Sequence, residues 1–371
     1  MASRLSQWGN DLYTGKRSYD IVGRRRTWYV VSAVLLILSL GFLLVRGLNP
    51  SIDFRGGAEF TVNGVTEPTQ QPAIDAVAEV VPEDVPRVSV VGGKGIRVQT
   101  GELVEDQSRE VAQALAEAYD VPATEVSSSF VGPTWGNDVT GKALRGLVIF
   151  LVLVSVVMTL YFRAWRMALA ALVALAHDLF ITVGLYAGVG FEVSPATVIG
   201  FLTILGYSLY DTVVVFDKVR ENTARVTEQR RYTYAELANL AVNQTLVRSI
   251  NTSVVALLPV GAILFIGAFL LGAGTLRDIA LALFIGMTVG TFSSVFIATP
   301  FEVSLRQREP AIAAHTASVL KARAAAQTAA EGGPTTGPVP VHVGAPVPGT
   351  HLGTRAQPKR RKPNRPAGRK P

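Results

Sequence analysis

Six long apolar stretches constrain this chain more than any other feature of its sequence. They cover residues 28–46, 143–162, 167–189, 196–217, 249–271 and 278–299, with polar segments between them. A helix needs about 20 apolar residues to cross the hydrocarbon core of a bilayer, so each stretch is long enough to span one. The composition agrees, because 49% of the residues are apolar and only 17% are charged, which excludes an ordinary soluble globule. We therefore predict a polytopic α-helical membrane protein with six transmembrane helices.

The supply of metal-binding and redox side chains is small. The chain has no cysteine and four scattered histidines. Disulfides, iron–sulfur clusters, thiolate zinc sites and cysteine nucleophiles are therefore excluded, and the histidine positions indicate no metal site. The composition therefore predicts a protein without a metal site.

The basic residues beside the apolar stretches predict the orientation of the chain. Lysine and arginine are concentrated before the first stretch, between the second and third, and between the fourth and fifth. Short loops rich in these residues stay in the cytoplasm, so both termini are predicted to be cytoplasmic. The opposite loops, at residues 190–195 and 271–277, contain one basic residue, Arg277.

The residue pattern changes between the first two spans, where a small folded domain is predicted. Alternating apolar residues predict strands at 58–64, 87–91, 96–100 and 125–131, and helical spacing predicts helices at 69–81 and 103–119. Residues 92–95, Gly-Gly-Lys-Gly, are predicted to form a hairpin turn. The order β-α-β-β-α-β is typical of the split βαβ, ferredoxin-like α+β arrangement, in which two helices cover one face of a four-stranded antiparallel sheet.

These patterns divide the chain into five predicted segments. They are a cytoplasmic N-terminal tail at 1–27, transmembrane helix 1 at 28–46, an extracytoplasmic ferredoxin-like domain at 47–142, transmembrane helices 2–6 at 143–299, and a cytoplasmic, largely disordered basic tail at 300–371. The last segment is rich in alanine, proline and glycine and contains the run Lys359-Arg360-Arg361-Lys362. Such a run favours attraction to anionic lipid over RNA, so no specific nucleic-acid partner is expected.

Residues 136–143 nearly match the phosphate-binding loop G-x-x-x-x-G-K-[S/T]. Ala143 lacks the hydroxyl group that would bind magnesium. The segment also precedes a membrane span, whereas a phosphate-binding loop follows a core strand. We therefore interpret it as a flexible connection between the external domain and the second span.

Ionisable residues inside the spans are the main functional candidates, since a charge at mid-bilayer costs about 2.5–3.5 kcal/mol on insertion scales. Asp178 lies near the middle of the third span, Asp211 in the cytoplasmic third of the fourth, and Arg248 at the start of the fifth. Asp211 and Arg248 lie at the same depth, and we predict that they pair. Such a carboxylate can take up and release a proton. The alternatives are an ion pair that only fixes helix register and, for Asp178, a helix–helix hydrogen bond.

A stripe of small and polar residues follows the fourth span at helical spacing. It consists of Gly200, Thr203, Tyr207 and Asp211. Because residues three and four apart share a helix face, the stripe is predicted to face protein or trapped water. We treat Thr203 and Tyr207, together with Asp178, as candidates for intramembrane polar support.

Two pairs of glycines four residues apart predict close helix packing. They are Gly184 with Gly188 and Gly286 with Gly290. Small residues at this spacing let two membrane helices approach closely. The pattern is common, and by itself it indicates no function.

Several stretches together resemble the SecF subunits of the bacterial Sec protein-export machinery, within the wider RND-type transporters. They are SIDFRGG at 51–57, FVGPT at 130–134, AHD at 176–178, GYSLYDTVVVFDKVREN at 206–222, SINTS at 249–253, DIALAL at 278–283 and SSVFIATP at 293–300. The resemblance covers about residues 15–305, and the stretch at 206–222 is the most specific. Ser51 and Arg55 stand where that family commonly has glycine and often has threonine.

This resemblance implies a half-transporter that joins SecD and uses the proton-motive force, with protons as the coupling ion. It also implies an accessory subunit with no cofactor and no enzymatic reaction of its own. Its role would be to assist the export of unfolded preproteins after SecA-driven insertion, in the bacterial cytoplasmic membrane. The implied partners are SecD, the SecYEG channel, SecA and YajC. The family's span-four aspartate and the arginine at the start of span five belong to its proton pathway, which assigns Asp211 and Arg248 to a proton relay.

Three other functions remain open at this point. Half of an RND-type lipid or drug exporter shares the architecture, but such proteins usually have far larger external domains. A passive assembly scaffold for the translocase explains Asp178 well and the span-four stripe less well. An ion channel without a partner fits least, because one acidic centre in six spans resembles half of a site.

Overall fold

Six helices of membrane length dominate the computed structural model, which describes residues 4–91, 94–270 and 274–331. This confirms the predicted number of spans. The spans cover Arg25–Val45, Asp138–Phe162, Trp165–Val189, Pro195–Glu228, Tyr234–Ile266 and Arg277–Arg306. Part of the predicted hairpin turn at 92–95 lies outside the described residues.

The helices and strands are numbered in chain order. The helices are α1 (Arg4–Tyr13), α2 (Arg25–Val45), α3 (Ile52–Arg55), α4 (Gln71–Val80), α5 (Glu105–Ala118), α6 (Pro133–Phe162), α7 (Trp165–Val189), α8 (Pro195–Thr223), α9 (Tyr234–Ala262), α10 (Gly274–Ser293), α11 (Thr299–Arg306) and α12 (Pro310–Glu331). The strands are β1 (Asn49–Pro50), β2 (Gly57–Val62), β3 (Arg87–Val91), β4 (Gly95–Thr100), β5 (Val126–Val131) and β6 (Glu192–Val193). Two π-helical segments, Ile263–Leu270 and Ser294–Ala298, follow α9 and α10.

Helix α9 begins much earlier than the apolar pattern indicates. The fifth apolar stretch starts at residue 249, whereas the helix starts at Tyr234. The Thr233 hydroxyl accepts a hydrogen bond from the Glu236 amide, and the Glu236 side chain accepts one from the Thr233 amide. This capping box starts a helix in polar sequence, so the apolar stretch marks only its membrane portion.

The predicted packing glycines lie at two helix crossings. Gly184 and Gly188 of α7 lie against Ser39 and Phe42 of α2, while Gly286 and Gly290 of α10 lie against Ile204 and Ser208 of α8. A Cβ atom added at Gly184 would lie 2.6 Å from the Ser39 Cα. The helix backbones therefore approach more closely at this point than any larger residue permits.

Residues 57–131 form a separate unit, which we call the sheet domain. Its strands are ordered β3-β4-β2-β5, and every neighbouring pair is antiparallel. Phe60 of β2 pairs with Val98 of β4, and both side chains are fully buried. They pack in the same apolar core as Val77 of α4 and Leu115 of α5. The predicted β-α-β-β-α-β order is present, with each element within two residues of its predicted limits.

The predicted flexible connection at 136–143 is wrong, because this segment belongs to α6, which begins at Pro133. Proline suits the first turn of a helix, where its missing N–H is not needed. Gly136 then packs against α3, where a Cβ atom would lie 2.5 Å from the Phe54 carbonyl oxygen. The glycine is explained by this close approach to a neighbouring backbone.

The prediction of disorder from residue 300 onward is wrong for its first part, since α11 and α12 continue to Glu331. Ile312, His315 and Val319 are buried on one side of α12. Their spacing of three and four residues is helical, but the surrounding alanines conceal it. His315 Nε2 lies 2.6 Å from the Gln229 carbonyl oxygen. Residues 332–371, including the basic run, lie outside the described part of the chain.

Arg323 holds α12 against α9. Its guanidinium donates to the two carboxylate oxygens of Glu236 at 2.6 and 2.8 Å. The hydrogen bond with Glu236 raises the pKa of Arg323 above its ordinary value, so this side chain stays charged. Two parallel hydrogen bonds to a carboxylate give both strength and a defined orientation.

Replacing Arg323 by alanine is expected to loosen α12 without unfolding the bundle. The contact is partly exposed, so we discount it for solvent screening to about 1 kcal/mol, or about a fivefold rise in the detached population. Hydrogen–deuterium exchange of the α12 amides measures this rise. Lys321→Ala is the matched control, because Lys321 is exposed on the same helix. Equal exchange in the two variants would contradict the role given to Arg323.

Candidate functional site

Within the described residues, two aspartate side chains are buried deep inside the helix bundle, and a third, Asp278 of α10, is buried where the bundle meets the sheet domain. Asp178 of α7 is 2% exposed and Asp211 of α8 is 6% exposed. Both were predicted from the sequence as ionisable residues within spans. Burying a carboxylate is costly unless hydrogen bonds compensate, so the partners of each carboxylate determine what it can do.

Asp178 accepts hydrogen bonds from serines on two other helices. Its Oδ2 accepts from Ser208 Oγ of α8 at 2.6 Å and from Ser293 Oγ of α10 at 2.7 Å. Its Oδ1 lies 3.1 Å from the Nδ1 atom of the neighbouring His177. This carboxylate therefore joins three membrane helices, and the helix–helix hydrogen bond considered for it is present.

Asp211 has a matching set of partners. Its Oδ1 accepts from Ser249 Oγ of α9 at 2.7 Å, and its Oδ2 accepts from Ser294 Oγ at 2.5 Å. Ser249 and Ser294 are themselves 0% exposed. Asp211 thus lies where α8, α9 and the π-helical segment meet.

The two carboxylates belong to one connected group, which we call the serine–aspartate cluster. Ser293 and Ser294 are consecutive residues, and each donates to a different aspartate. On α8, Ser208 and Asp211 are three residues apart and share a face. The cluster consists of Asp178, Ser208, Asp211, Ser249, Ser293 and Ser294.

The π-helical segment Ser294–Ala298 begins within this cluster. Such segments are rare, and they occur frequently at functional sites because they alter the direction of successive side chains. Here the change occurs immediately after Ser293, where two neighbouring hydroxyl groups have to reach different helices. The local backbone therefore allows Ser293 and Ser294 to donate to two different aspartates.

The predicted pairing of Arg248 with Asp211 is wrong for the part of the chain that the structure describes. The Arg248 guanidinium donates instead to the Tyr210 hydroxyl at 3.2 Å, on the exposed side of the bundle. Consecutive residues of an α-helix point about 100° apart, since a turn contains 3.6 residues. Ser249 and Asp211 therefore point inward, while the residues immediately before them point outward. Equal depth in the membrane did not imply contact.

Only part of the predicted polar stripe of α8 faces the interior, since Gly200 and Asp211 are buried whereas Thr203 and Tyr207 are not. Thr203 is exposed and donates to the Ile199 carbonyl of its own helix. Tyr207 is half-buried, and its hydroxyl has no hydrogen bond within the described residues. Ser208, which the sequence reasoning missed, is 2% exposed and belongs to the cluster. The available signal was the recurrence of single serines and a serine pair within otherwise apolar spans.

A polar junction connects the sheet domain to the bundle. Arg97 of β4 lies 3.3 Å from Glu192 and 3.4 Å from Glu59, and Gln99 donates to Glu192 at 2.5 Å. Glu192 belongs to β6, which pairs in parallel with β1. These contacts fix the sheet domain to the segment that immediately precedes α8.

The same junction continues to α10. Ser194, the N-cap of α8, donates to Asp278 Oδ2 at 3.0 Å. A cavity of about 400 Å³ lies beside this contact, with Glu59, Arg97, Glu192 and Asp278 in its lining. The two helices joined here, α8 and α10, are those that carry Asp211 and Ser293 farther along. These contacts join the sheet domain to the two helices that carry members of the serine–aspartate cluster.

Within the described residues, no group of three or more histidine, cysteine, aspartate or glutamate side chains is placed to hold a metal ion. The cluster instead consists of two carboxylates and four hydroxyl groups. That donor set is suited to binding and releasing protons, because hydroxyl groups both donate and accept hydrogen bonds. The expectation that the chain needs no cofactor stays a prediction.

Comparison with known proteins places the chain among protein-export components. The family model described as "Protein export membrane protein SecD/SecF, C-terminal" matches residues 110–308, and "SecD/SecF GG Motif" matches residues 41–63. The protein translocase subunit SecF of Streptomyces coelicolor is 48% identical over 89% of this chain and 87% of its own length. SecF of Mycobacterium tuberculosis is 44% identical over 84% of this chain and 72% of its own.

A solved structure is similar in both fold and sequence. The crystal structure of SecDF from Thermus thermophilus, described as a translocon-associated membrane protein, has a TM-score of 0.69 and 31% identity. The match covers 79% of this chain and 39% of the SecDF chain. This chain therefore corresponds to part of that longer protein.

Proposed function

Because the chain belongs to the SecF family of protein translocase subunits, we propose that it couples the proton-motive force to preprotein export. It does so as an accessory subunit that associates with SecD and works beside the SecYEG channel, SecA and YajC. Protons are the coupling ion, and the unfolded preprotein is the substrate. Asp211 is the residue that takes up and releases the proton.

The serine–aspartate cluster is the observation that carries this proposal. Each aspartate is held by neutral serine hydroxyl groups, whose O–H bonds rotate to donate to a carboxylate or accept from a carboxylic acid. An ion pair would instead stabilise only the ionised form. The Asp211 site therefore accommodates both protonation states with small rearrangements.

The electrical driving force is large enough for this role. Moving one charge through 100 mV is worth about 2.3 kcal/mol, which shifts a two-state equilibrium by about fiftyfold. The two states are arrangements of α7, α8, α9 and α10 around the cluster. The Asp211 carboxylate accepts hydrogen bonds from Ser249 and Ser294. Protonation of Asp211 weakens these hydrogen bonds, because an ionised acceptor binds a hydroxyl group more strongly than a neutral one.

Arg248 takes part in the relay from the outer face of the bundle. Its side chain is exposed and contacts Tyr210. Arg248 directly precedes Ser249 on α9, and Tyr210 directly precedes Asp211 on α8. We assign this face to the contact with SecD. Covering Arg248 there excludes water and strengthens the effect of its charge on Asp211.

The sheet domain transmits the change to the substrate. We assign it to the ferredoxin-like class, supported by the strand order β3-β4-β2-β5 and two covering helices. We place it outside the bacterial cytoplasmic membrane, with both termini inside, supported by the basic residues at the opposite loops. The contacts of Arg97 with Glu192 and of Ser194 with Asp278 connect it to α8 and α10.

Export by inverted membrane vesicles tests this function. Vesicles with and without the chain are compared at constant ATP, with the proton gradient present or collapsed. We expect the chain to increase export severalfold only when the gradient is present. Re-expression of the chain in depleted membranes serves as the control and is expected to restore the increase.

The alternative functions give different results in the same assay. A passive scaffold would support export equally with and without the gradient, because it only holds the assembly together. Half of a lipid or drug exporter would leave preprotein export unchanged under both conditions. Either result would contradict the proposed coupling.

A further inference from the structure

Glu302, near the end of the last helix of membrane length, is a fully buried carboxylate outside the serine–aspartate cluster. It is 0% exposed, and its Oε1 accepts from the Tyr234 hydroxyl at 2.7 Å. Its Oε2 is also buried but makes no hydrogen bond within the described residues. A buried carboxylate oxygen without a hydrogen-bond partner is rare and requires an explanation, and a role in the chemistry of the protein is one such explanation.

A line of buried polar side chains lies at intervals along the chain between this carboxylate and the Ser294 partner of Asp211. Ser294 donates to Asp211, and both Ser294 and Thr299 are 0% exposed. They are five residues apart, across the π-helical segment Ser294–Ala298, whose i→i+5 hydrogen bonding brings such positions onto one side. Thr299 and Glu302 are three apart on α11 and share a face.

The hydroxyl of Thr299 is the intermediate group on this line. It is buried and makes no hydrogen bond within the described residues. Ser294 and Glu302 are eight positions apart, or about 12 Å at 1.5 Å per residue, which is too far for direct hydrogen bonding. A hydroxyl group between them both accepts and donates a proton.

The far end of the line reaches charged groups near the surface. Arg306 Nε lies 3.5 Å from Glu302, and its guanidinium also donates to Glu309 at 2.8 Å. Glu309 accepts from Arg166, at the start of α7, at 2.5 Å. The charged and titratable groups facing Glu302 are therefore Tyr234 from α9, Arg306 from its own helix and, beyond that, the Glu309–Arg166 pair. Arg166 is about one third exposed, so this end reaches solvent.

We propose that Glu302 exchanges protons between the serine–aspartate cluster and the cytoplasmic end of the bundle, with Thr299 as the intermediate hydroxyl. This rests on the proposed proton coupling at Asp211. The Asp211 carboxyl gives its proton to the hydroxyl line, the Glu302 carboxylate takes one up, and Glu302 then releases it toward the Arg306–Glu309 end. Each transfer leaves the carboxylate that released the proton ionised and ready for another cycle.

Two substitutions at Glu302 distinguish a relay from a structural contact. Glu302→Gln keeps the size and still accepts from Tyr234, but it cannot take up a proton. Glu302→Asp keeps the carboxyl group but shortens its reach to Tyr234. A relay predicts that the aspartate variant is more active than the glutamine variant, whereas a structural contact predicts the reverse order.

The assay is gradient-dependent export by inverted vesicles that contain the whole complex, with the amount of each variant matched. We expect Glu302→Gln to lower the gradient-dependent part by about a hundredfold, the lower end of the range for loss of a proton-transferring group, and Glu302→Asp to keep most of it. Thr299→Val is expected to lower it as well. Thr288→Val is the matched control, because Thr288 is exposed and donates only to the Phe284 carbonyl of its own helix.

Asp211→Asn, measured in parallel, separates this inference from the proposed function. A defect in Asp211→Asn with normal export in Glu302→Gln would overturn the role of Glu302 alone. Normal export in both would overturn the proposed function, and the role of Glu302 with it. Greater activity of Glu302→Gln than of Glu302→Asp would also overturn the relay and leave Glu302 as a structural partner of Tyr234.

Discussion

Replacing Asp211 by asparagine is expected to remove the gradient-dependent part of preprotein export while leaving the ATP-driven part unchanged. Asparagine has nearly the same size, and its amide oxygen accepts from one of the two serines while its NH2 group donates to the other, whose hydroxyl turns to accept, so the bundle keeps its packing. It cannot take up a proton, which is the step that the cluster is proposed to perform. We expect a loss of about a hundredfold or more in the gradient-dependent component, as for the loss of other proton-transferring groups.

Asp217→Asn is the matched control for this measurement. Asp217 lies on the same helix, six positions from Asp211, but its side chain is exposed. The same chemical change there is expected to leave both components of export unchanged. Full gradient-dependent export by Asp211→Asn in inverted vesicles would return Asp211 to a purely structural role.

Replacing Gly184 by leucine is expected to prevent correct assembly of the bundle. A Cβ atom at this position would lie 2.6 Å from the Ser39 Cα, so α2 and α7 would have to separate. Overpacking of a core costs about 1–3 kcal/mol, and we expect the upper end because the obstacle is backbone and not a flexible side chain. The measurement is the amount of chain in the membrane and its resistance to heat-induced aggregation.

Gly41→Leu controls for the added apolar volume. Gly41 lies on α2, two residues from Ser39, and a Cβ atom there would meet nothing within 4 Å. The control is therefore expected to accumulate normally. If both leucine variants were equally abundant and stable, the close approach of α2 and α7 would not be required for folding.

The cluster differs from an intramembrane ion pair in a way that matters for coupling. An ion pair at Asp211 would have kept the carboxylate charged. Separating the two partners of such a pair would have left two buried charges without compensation. The serine hydroxyl groups hold the carboxylate without adding a charge. The effect of the Arg248 charge on Asp211 then depends on which protein covers the exposed face of α8 and α9. Proton binding by Asp211 is therefore expected to differ between the isolated chain and the assembled complex.

Much of the fold followed from local patterns. Apolar length predicted the spans, and alternating or helical spacing predicted the elements of the sheet domain to within two residues. Asp178 and Asp211 were predicted as functional candidates because a carboxylate within an apolar span is conspicuous in any sequence. The predicted helix limits were wrong where the sequence pattern was weak. Alanine-rich sequence concealed α12, and the capping box that starts α9 lies in polar sequence before the apolar stretch.

The partners of the two aspartates did not follow from the sequence. Ser293 is 115 residues from Asp178, and Ser294 is 83 residues from Asp211. The sequence of an apolar membrane helix gives little indication of which face is turned toward the other helices, because lipid and protein interior both suit apolar side chains. A rotation of one residue, about 100°, separates Ser208 from Tyr207 and Ser249 from Arg248.

The sequence by itself therefore determined how many helices are long and apolar enough to cross the membrane, where the sheet domain lies in the chain, and that Asp178 and Asp211 lie within spans. Only the tertiary structure decided that serines and not Arg248 hold Asp211. The reason is that length and periodicity are properties of a single segment, whereas a hydrogen-bond partner depends on how each helix is rotated. That rotation is set by close contacts such as Gly286 against Ile204, between residues far apart in the chain.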